Sequence, residues 1–452
     1  ICLAMMAMRA RTAAMMRRRL STEPEPILDE LIARGCVHTS TSVDGLREFL
    51  DRPRTFYTGF DPTADSLHIG NLSILMTMRR LQQRGHKPIV LIGGATALIG
   101  DPSGRNTERP LLSPEHVLAN ADAVSNVVKK FLNFEGDSFC RAELVNNMDW
   151  YQGMDLISFL RSTGKHFKIS SMIAKESVRS RLDAGSGLTF TEFSYQALQG
   201  YDFLQLAQSR ECFLQLGGAD QWGNITAGIN LIRQRMGSPS FGLTMPLITN
   251  QAGVKLGKST GGGSVWLCPS KTSPYDLYQY LYTAHDADVY NLLKTISPLS
   301  LDEISQLPPR EAQRRLAESV TLMAHGEDGL RNAQETSQQL FSSQNPKQLA
   351  AEEWDKPLSG VPELRIDIAN LDRGESLLGL LCQSGLSQSR SEAKRLIGGG
   401  GVKVNGVRVN DPTRNLSRDD LIGNTCLVQV GKHKHAVIRC NSAAMAAILP
   451  PS

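Results

Sequence analysis

Between residues 55 and 249 short apolar runs alternate with stretches whose apolar positions recur at helical spacing. The runs at 56–59, 88–93, 143–146 and 212–216 read as strands, and the alternation predicts a parallel sheet flanked by helices. One helix opens near Asn71: Leu72, Leu75, Met76, Met78 and Leu81 supply its apolar stripe, Arg79, Arg80 and Arg84 load its last turn, and Gly85 stops it. Helical patterns at 115–132 and 155–161 fall in a segment, about 112–186, that reads as an insertion between two halves of the sheet. From 273 to about 340 the spacing is helical throughout, with starts at Ser273-Pro274 and Ser300-Leu301-Asp302, which predicts a separate helical domain. Residues 346–370, polar and carrying Pro346, Pro357 and Pro362, read as a linker. Beyond it, 389–397 reads as a basic helix and 402–409 as a hairpin turning at Asn405-Gly406.

Composition adds three points. At 452 residues the chain has room for two to four domains, and no apolar run approaches the roughly 20 residues of a membrane span. Its eight cysteines contain no C-x-x-C pair, which argues against a disulfide framework or a zinc site. Residues 1–22 carry Arg9, Arg11, Arg17, Arg18 and Arg19 and no acid before Glu23, the composition of a mitochondrial transit peptide. Between Arg373 and Arg439, eleven Lys or Arg stand against five Asp or Glu, a net of plus six that suits phosphate backbones.

The candidate chemistry lies at strand ends. Residues 57–70 form a strand-to-helix junction where Thr63 and His68 can add donors to the helix amides, an arrangement that favours an anion. A second glycine-laced turn, 91–105, carries Asp101, a carboxylate for an ammonium group, followed by Arg105 and Arg109, which could reach a polyphosphate. Tyr195, Gln199 and Asp202 fall at i, i+4 and i+7, one face of a helix, so they line a polar pocket or an exposed stripe. At 216–225 glycines precede Asp220, placed to accept from a ribose or simply to cap a helix, and Gln221. Lys255 and Lys258 sit between Gly253 and Gly261, where mobile ammonium groups could gather on developing phosphate charge.

These motifs, in this order, resemble the class I aminoacyl-tRNA synthetases, and within them the tyrosyl-tRNA synthetases of bacterial and mitochondrial type. The histidine signature would be His68-Ile69-Gly70-Asn71 and the lysine signature Lys255-Leu256-Gly257-Lys258-Ser259. The resemblance implies a Rossmann-like catalytic domain at 23–260, a helical anticodon-binding domain at 261–345 and an α+β S4-like RNA-binding domain at 371–440, with a tail at 441–452. It also implies a homodimer that joins L-tyrosine to tRNA(Tyr), with ATP as substrate, Mg²⁺ accompanying it, and no dedicated protein metal site; the composition of residues 1–22 adds the mitochondrial matrix as the expected location. Tyr57 and Asp202 would hold the substrate phenol, and Asp101, Tyr195 and Gln199 its ammonium group; Asp61 and Gln221 would position the amino acid. Gly59, Gly70, Gly218 and Asp220 would fit the adenosine, and Thr63, His68, Arg105, Arg109, Lys255 and Lys258 would meet phosphates. Asn71 stands where the class pattern has a second histidine, though its amide can still donate to a ribose hydroxyl. Two rival classes, a nucleotidylyltransferase and a non-enzymatic RNA-binding protein, leave the 195–202 stripe or the catalytic set unexplained. Tryptophan is the nearest competing substrate, and the Tyr57–Asp202 pair argues against it.

Overall fold

The computed structural model describes residues 25–104, 107, 109–185, 187–249, 264–341, 358, 360–431 and 434–441. The transit-peptide expectation at 1–22 therefore lies outside the described residues, as do Arg105, Lys255 and Lys258. The chain divides into two compact units, one holding 25–66 and 70–249, the other 67–69 and 264–441.

The first unit is built on a six-stranded sheet of β1 (Thr39–Ser40), β2 (Thr55–Phe60), β3 (Lys87–Ile92), β4 (Glu143–Asn146), β5 (Leu214–Gly218) and β6 (Phe241–Met245). Their order is β1-β6-β5-β2-β3-β4, all parallel except the β1–β6 pair. Chain order runs outward from β2 through β3 to β4 and from β5 to β6, so the direction reverses between β2 and β5. In a sheet of this kind ligands bind beyond the carboxyl ends of the strands at that reversal. The expected helix after β2 is present as a 3-10 turn, Ile69–Asn71, running into Leu72–Gln83. Its stripe of Leu72, Leu75, Met76, Met78 and Leu81 is buried, and each such side chain contributes roughly 1.5–3 kcal/mol of apolar transfer. Arg80, one of the arginines of the last turn, is buried as well, with Nη1 3.8 Å from Cys36 Sγ. The long helix Phe190–Arg210 packs on Trp222–Met236, and Phe203, Leu204, Leu206, Leu231 and Ile232 close the core over Tyr57, Ile89 and Leu91.

In the second unit four helices, Pro274–Tyr282, Asp286–Ile296, Leu301–Gln306 and Pro309–Phe341, confirm the all-helical reading of that stretch. Ser273 and Ser300 cap the first and third, Ser300 in a reciprocal box with Glu303. The longest bends at Gly326, where φ is +74°. The carboxy-terminal part forms β7 (Glu363–Asp367), β8 (Glu375–Ser376), β9 (Val402–Val404), β10 (Val407–Val409), β11 (Asn415–Leu416), β12 (Thr425–Val430) and β13 (Lys434–Asn441). Five of them make one sheet, ordered β10-β9-β12-β13-β7, against which helices Leu377–Gln383 and Arg390–Gly398 pack. The β9–β10 hairpin turns at Asn405-Gly406 as its sequence predicts, both with positive φ. One expectation needs correction: Glu363–Asp367, assigned to the linker, is β7, lying parallel to β13. Only Leu364 and Ile366 carry its alternation, too few to show against a proline-rich background. Leu358 and Val361 are buried with Tyr275, Leu340, Leu427 and Val437, so this approach segment is packed rather than loose.

Candidate active site

The Phe190–Arg210 helix carries Tyr195, Gln199 and Asp202 on one face, and that face lines a buried polar site. Asp202 is 2% exposed, with Asn147 Nδ2 donating to Oδ2 at 3.1 Å and Trp150 Nε1 to Oδ1 at 2.8 Å. These donors are neutral. Burial therefore dominates and pushes the Asp202 carboxyl up to about 7, against the lowering effect of hydrogen bonds from Asn147, Trp150 and Tyr151. Tyr57, inside β2, acts electrostatically with Asp202, and burial holds its phenol well above the usual range, so it stays protonated. Tyr57 Oη and Gln199 Oε1 are buried with no protein partner, an uncommon cost unless a ligand takes up the bond.

Just past the end of β2, Asp61 accepts from Tyr195 Oη at 2.7 Å and from Thr96 Oγ1 at 2.7 Å. Loss of water around it, reinforced by the Asp101 charge, raises its carboxyl to about 6 despite those bonds and the Arg109 charge. The backbone of β3's exit loop must come close here: a Cβ on Gly93 would fall 1.9 Å from Asp61 Oδ1. Thr96 Oγ1 also receives a bond from Asn147 Nδ2 at 3.0 Å, so the two carboxylates are joined through Thr96 and Asn147. Asn147 is itself fixed, its Oδ1 accepting from the Ala95 amide at 2.8 Å. Sequence reasoning marked the glycines of 91–105, Gly93 among them, but missed Thr96, Asn147 and Trp150. Asn147 follows β4 directly, at the carboxyl end of a parallel strand, and that position was the available signal.

Asp101 forms a second cluster with residues after β5. Gln221 Nε2 donates to its Oδ2 at 2.7 Å, Asn224 Nδ2 reaches Oδ1 at 3.4 Å, and the Ser103 amide donates to Oδ1 at 3.0 Å. Arg109 Nε donates to the Asp101 carbonyl at 2.9 Å, which ties that arginine to the loop rather than leaving it as a solvated side chain. Gly218 ends β5 and Asp220 sits in the following 3-10 turn, where a Cβ on Gly218 would lie 2.5 Å from Asp220 Oδ1. Gly59 is exposed within β2, and the Thr63 amide donates to the Asp61 carbonyl at 2.8 Å. Gly70 and Asn71 fall in the 3-10 turn before the helix, Asn71 as its N-cap residue without a side-chain capping bond.

His68 belongs to the second unit, paired across an antiparallel bridge with Trp266. Burial lowers its imidazole below the usual range, so the ring is neutral near pH 7, with one donor and one acceptor nitrogen. Among the described residues no group of three or more His, Cys, Asp and Glu is arranged to hold a metal, and no helix is long and apolar enough to cross a membrane.

The arrangement supplies a buried acceptor and phenol at one end, a second carboxylate cluster near the sheet's reversal, and glycine turns beside it. The family of class I tRNA synthetases (W and Y) matches residues 50–342, and the S4 domain family matches residues 377–422. The tyrosine–tRNA ligase of Roseiflexus castenholzii is 46% identical over 424 residues, spanning 91% of this chain and 99% of that protein. The ligase of Geobacillus stearothermophilus is 45% identical over 424 residues with the same shares, 91% and 99%. Among solved structures, the truncated mitochondrial tyrosyl-tRNA synthetase of Coccidioides posadasii matches with a TM-score of 0.61 at 30% identity, covering 74% of this chain and 99% of that one. The corresponding Aspergillus nidulans structure gives 0.64 at 27%, covering 71% and 95%.

Proposed function

Because the chain belongs to the tyrosine–tRNA ligases of class I, we propose that its buried Tyr57–Asp202 end reads the phenol of tyrosine during adenylate formation in mitochondria. The observation that carries this reading is Asp202, a buried carboxylate surrounded only by neutral donors, beside the unpartnered Tyr57 Oη. A phenol O–H reaching that carboxylate, and accepting from Tyr57, would use both groups. Phenylalanine would leave them unpaired in a dry site, a cost of about 1–3 kcal/mol for each group.

In this reading Asp101, Tyr195 and Gln199 take the substrate ammonium, while Asp61, held by Tyr195 and Thr96, and Gln221, held on Asp101, set the amino acid's position. The tyrosine carboxylate attacks the α-phosphorus of ATP and pyrophosphate leaves; a hydroxyl of the tRNA 3′ end then attacks the acyl carbon and AMP leaves. The nucleophile comes from the substrate, so the protein's part is alignment and charge stabilisation. Gly59, Gly70, Asn71, Gly218 and Asp220 take the adenosine side. Thr63, His68, Arg105, Arg109, Lys255 and Lys258 take the phosphates, with which Mg²⁺ would arrive. The S4-like segment's net positive charge suits the tRNA backbone.

Two finer points belong to the same proposal. The arginine-rich, acid-free residues 1–22 support delivery to the mitochondrial matrix. The exposed apolar side chains Leu156, Ile157, Ile169 and Phe190, the last 78% exposed, support a homodimer. Tyrosine-dependent exchange of pyrophosphate into ATP, with phenylalanine and tryptophan as controls, tests the activity; absence of exchange with tyrosine would sink it. Sedimentation of the purified protein tests the dimer, and a single monomeric species at micromolar concentration would remove it.

A further inference from the structure

The segment Leu67–Ile69 is joined to the stretch around Trp266 by backbone bonds on both sides of His68: the Ile69 amide donates to the Val265 carbonyl and the Leu267 amide to the Leu67 carbonyl, each at 2.9 Å. Side chains alternate across such a bridge. Leu67, Ile69, Val265 and Leu267 are accordingly buried, which sends His68 and Trp266 to the opposite face as a directly opposed cross-strand pair. Their rings meet edge to face, centroids 6.2 Å apart at 64°. Trp266 is pinned in turn. Its amide donates to Thr272 Oγ1 at 2.8 Å, and the Lys271 ammonium lies 4.3 Å from its ring centroid, within cation–π range.

We propose that Trp266 is a positioning residue for the activation step, holding the His68 imidazole in one orientation. A neutral imidazole offers a single N–H, so its usefulness to a phosphate oxygen depends on ring direction far more than that of an ammonium group, which donates all round. The backbone bridge fixes where the His68 Cα lies, and the edge contact with Trp266 restricts the rotation of its ring. Lys271 holds the other partner of the pair, and it is the weaker lever because it acts only through Trp266. This proposal rests on the tyrosine-activating function above.

The test is steady-state pyrophosphate exchange by the full chain carrying Trp266→Leu or Trp266→Phe, each also in a His68→Ala background. Trp266→Leu is expected to lower kcat about tenfold, with the tyrosine KM changed less than about twofold, and Trp266→Phe to recover most of that loss because it restores a ring edge. In the His68→Ala background the Leu change is expected to cost less than about twofold, since the ring it serves is gone. Additive losses in that cycle, unchanged kinetics in Trp266→Leu, or a tyrosine KM that rises in step with kcat loss would each overturn the role. If a thermal melt shows Trp266→Leu unfolded, the Phe variant carries the same cycle, and its loss must likewise vanish without His68. An inactive parent overturns the function together with this role, whereas an active parent with additive variants overturns this role alone.

Discussion

Asp202 and Asp372 are both hydrogen-bonded aspartates, yet they sit in opposite worlds. Asp202 is buried among neutral donors and is pushed up to about 7, while Asp372 lies at the surface, where Arg418 Nε and Nη2, each at 2.6 Å, hold its carboxyl below the usual range. Desolvation is the leading cause at the first site; at the second the arginine's hydrogen bond leads. A carboxylate that a fold buries without a cation detracts from stability, so its retention points to a ligand. An exposed pair, screened and mobile, has little to give either way.

The sharpest way to break this contrast is to remove Asp202. Asp202→Ala is expected to raise the tyrosine KM in pyrophosphate exchange by about 100-fold while the ATP KM stays within about twofold. Equal damage to both substrates would place Asp202 in the scaffold instead. Tyr57→Phe keeps the ring's packing and deletes one hydroxyl, so the preference for tyrosine over phenylalanine, measured as a ratio of kcat/KM values, should fall about tenfold; an unchanged ratio would assign Tyr57 to the core.

A third effect is in pH. From about 4, the ordinary aspartate range, to about 7, the native chain keeps a proton on Asp202 that the unfolded chain has released. Stability therefore falls as pH rises through that window, and the penalty is complete above it. Asp202→Asn cannot ionise, so in urea melts its stability relative to the parent should improve by at least about 1 kcal/mol between pH 5 and pH 8. A pH-independent difference would show that Asp202 is already charged at pH 5. The smallest effect is at the other site: Arg418→Ala should leave the urea midpoint of the chain within experimental error, and a clear drop would mean that the surface pair braces the S4-like sheet after all.

The sequence revealed most of the scaffold because scaffold signals are local. Four of the six strands in the first sheet, the Leu72–Gln83 helix and the Asn405-Gly406 hairpin each announce themselves within a dozen residues. β6 escaped notice because Phe241–Met245 carries a glycine and a threonine among its five residues, and β7 because it has only two apolar positions. The Asp202 end of the site was half visible: helical spacing brought Tyr195, Gln199 and Asp202 together, but the choice between pocket and solvent required the fold. Thr96, and Asn147 apart from its place at the end of β4, were hidden for a different reason. Their bonds to Asp61 and Asp202 span 35 and 55 residues, and nothing about a threonine or an asparagine in a loop distinguishes a bridge between buried acids from an ordinary turn.

The S4 family match ends at residue 422, but the sheet it belongs to also needs β7, β12 and β13, which lie before and after the matched span. A fragment cut to 377–422 would retain the β9–β10 hairpin and lose the three strands that continue the sheet from the β9 edge. Val402 and Val404 would then present a bare edge to the next copy, the usual start of strand-to-strand aggregation. Insolubility of such a fragment would therefore report a misplaced cut, and dissection should begin upstream of Leu358, where the chain is already buried against Tyr275.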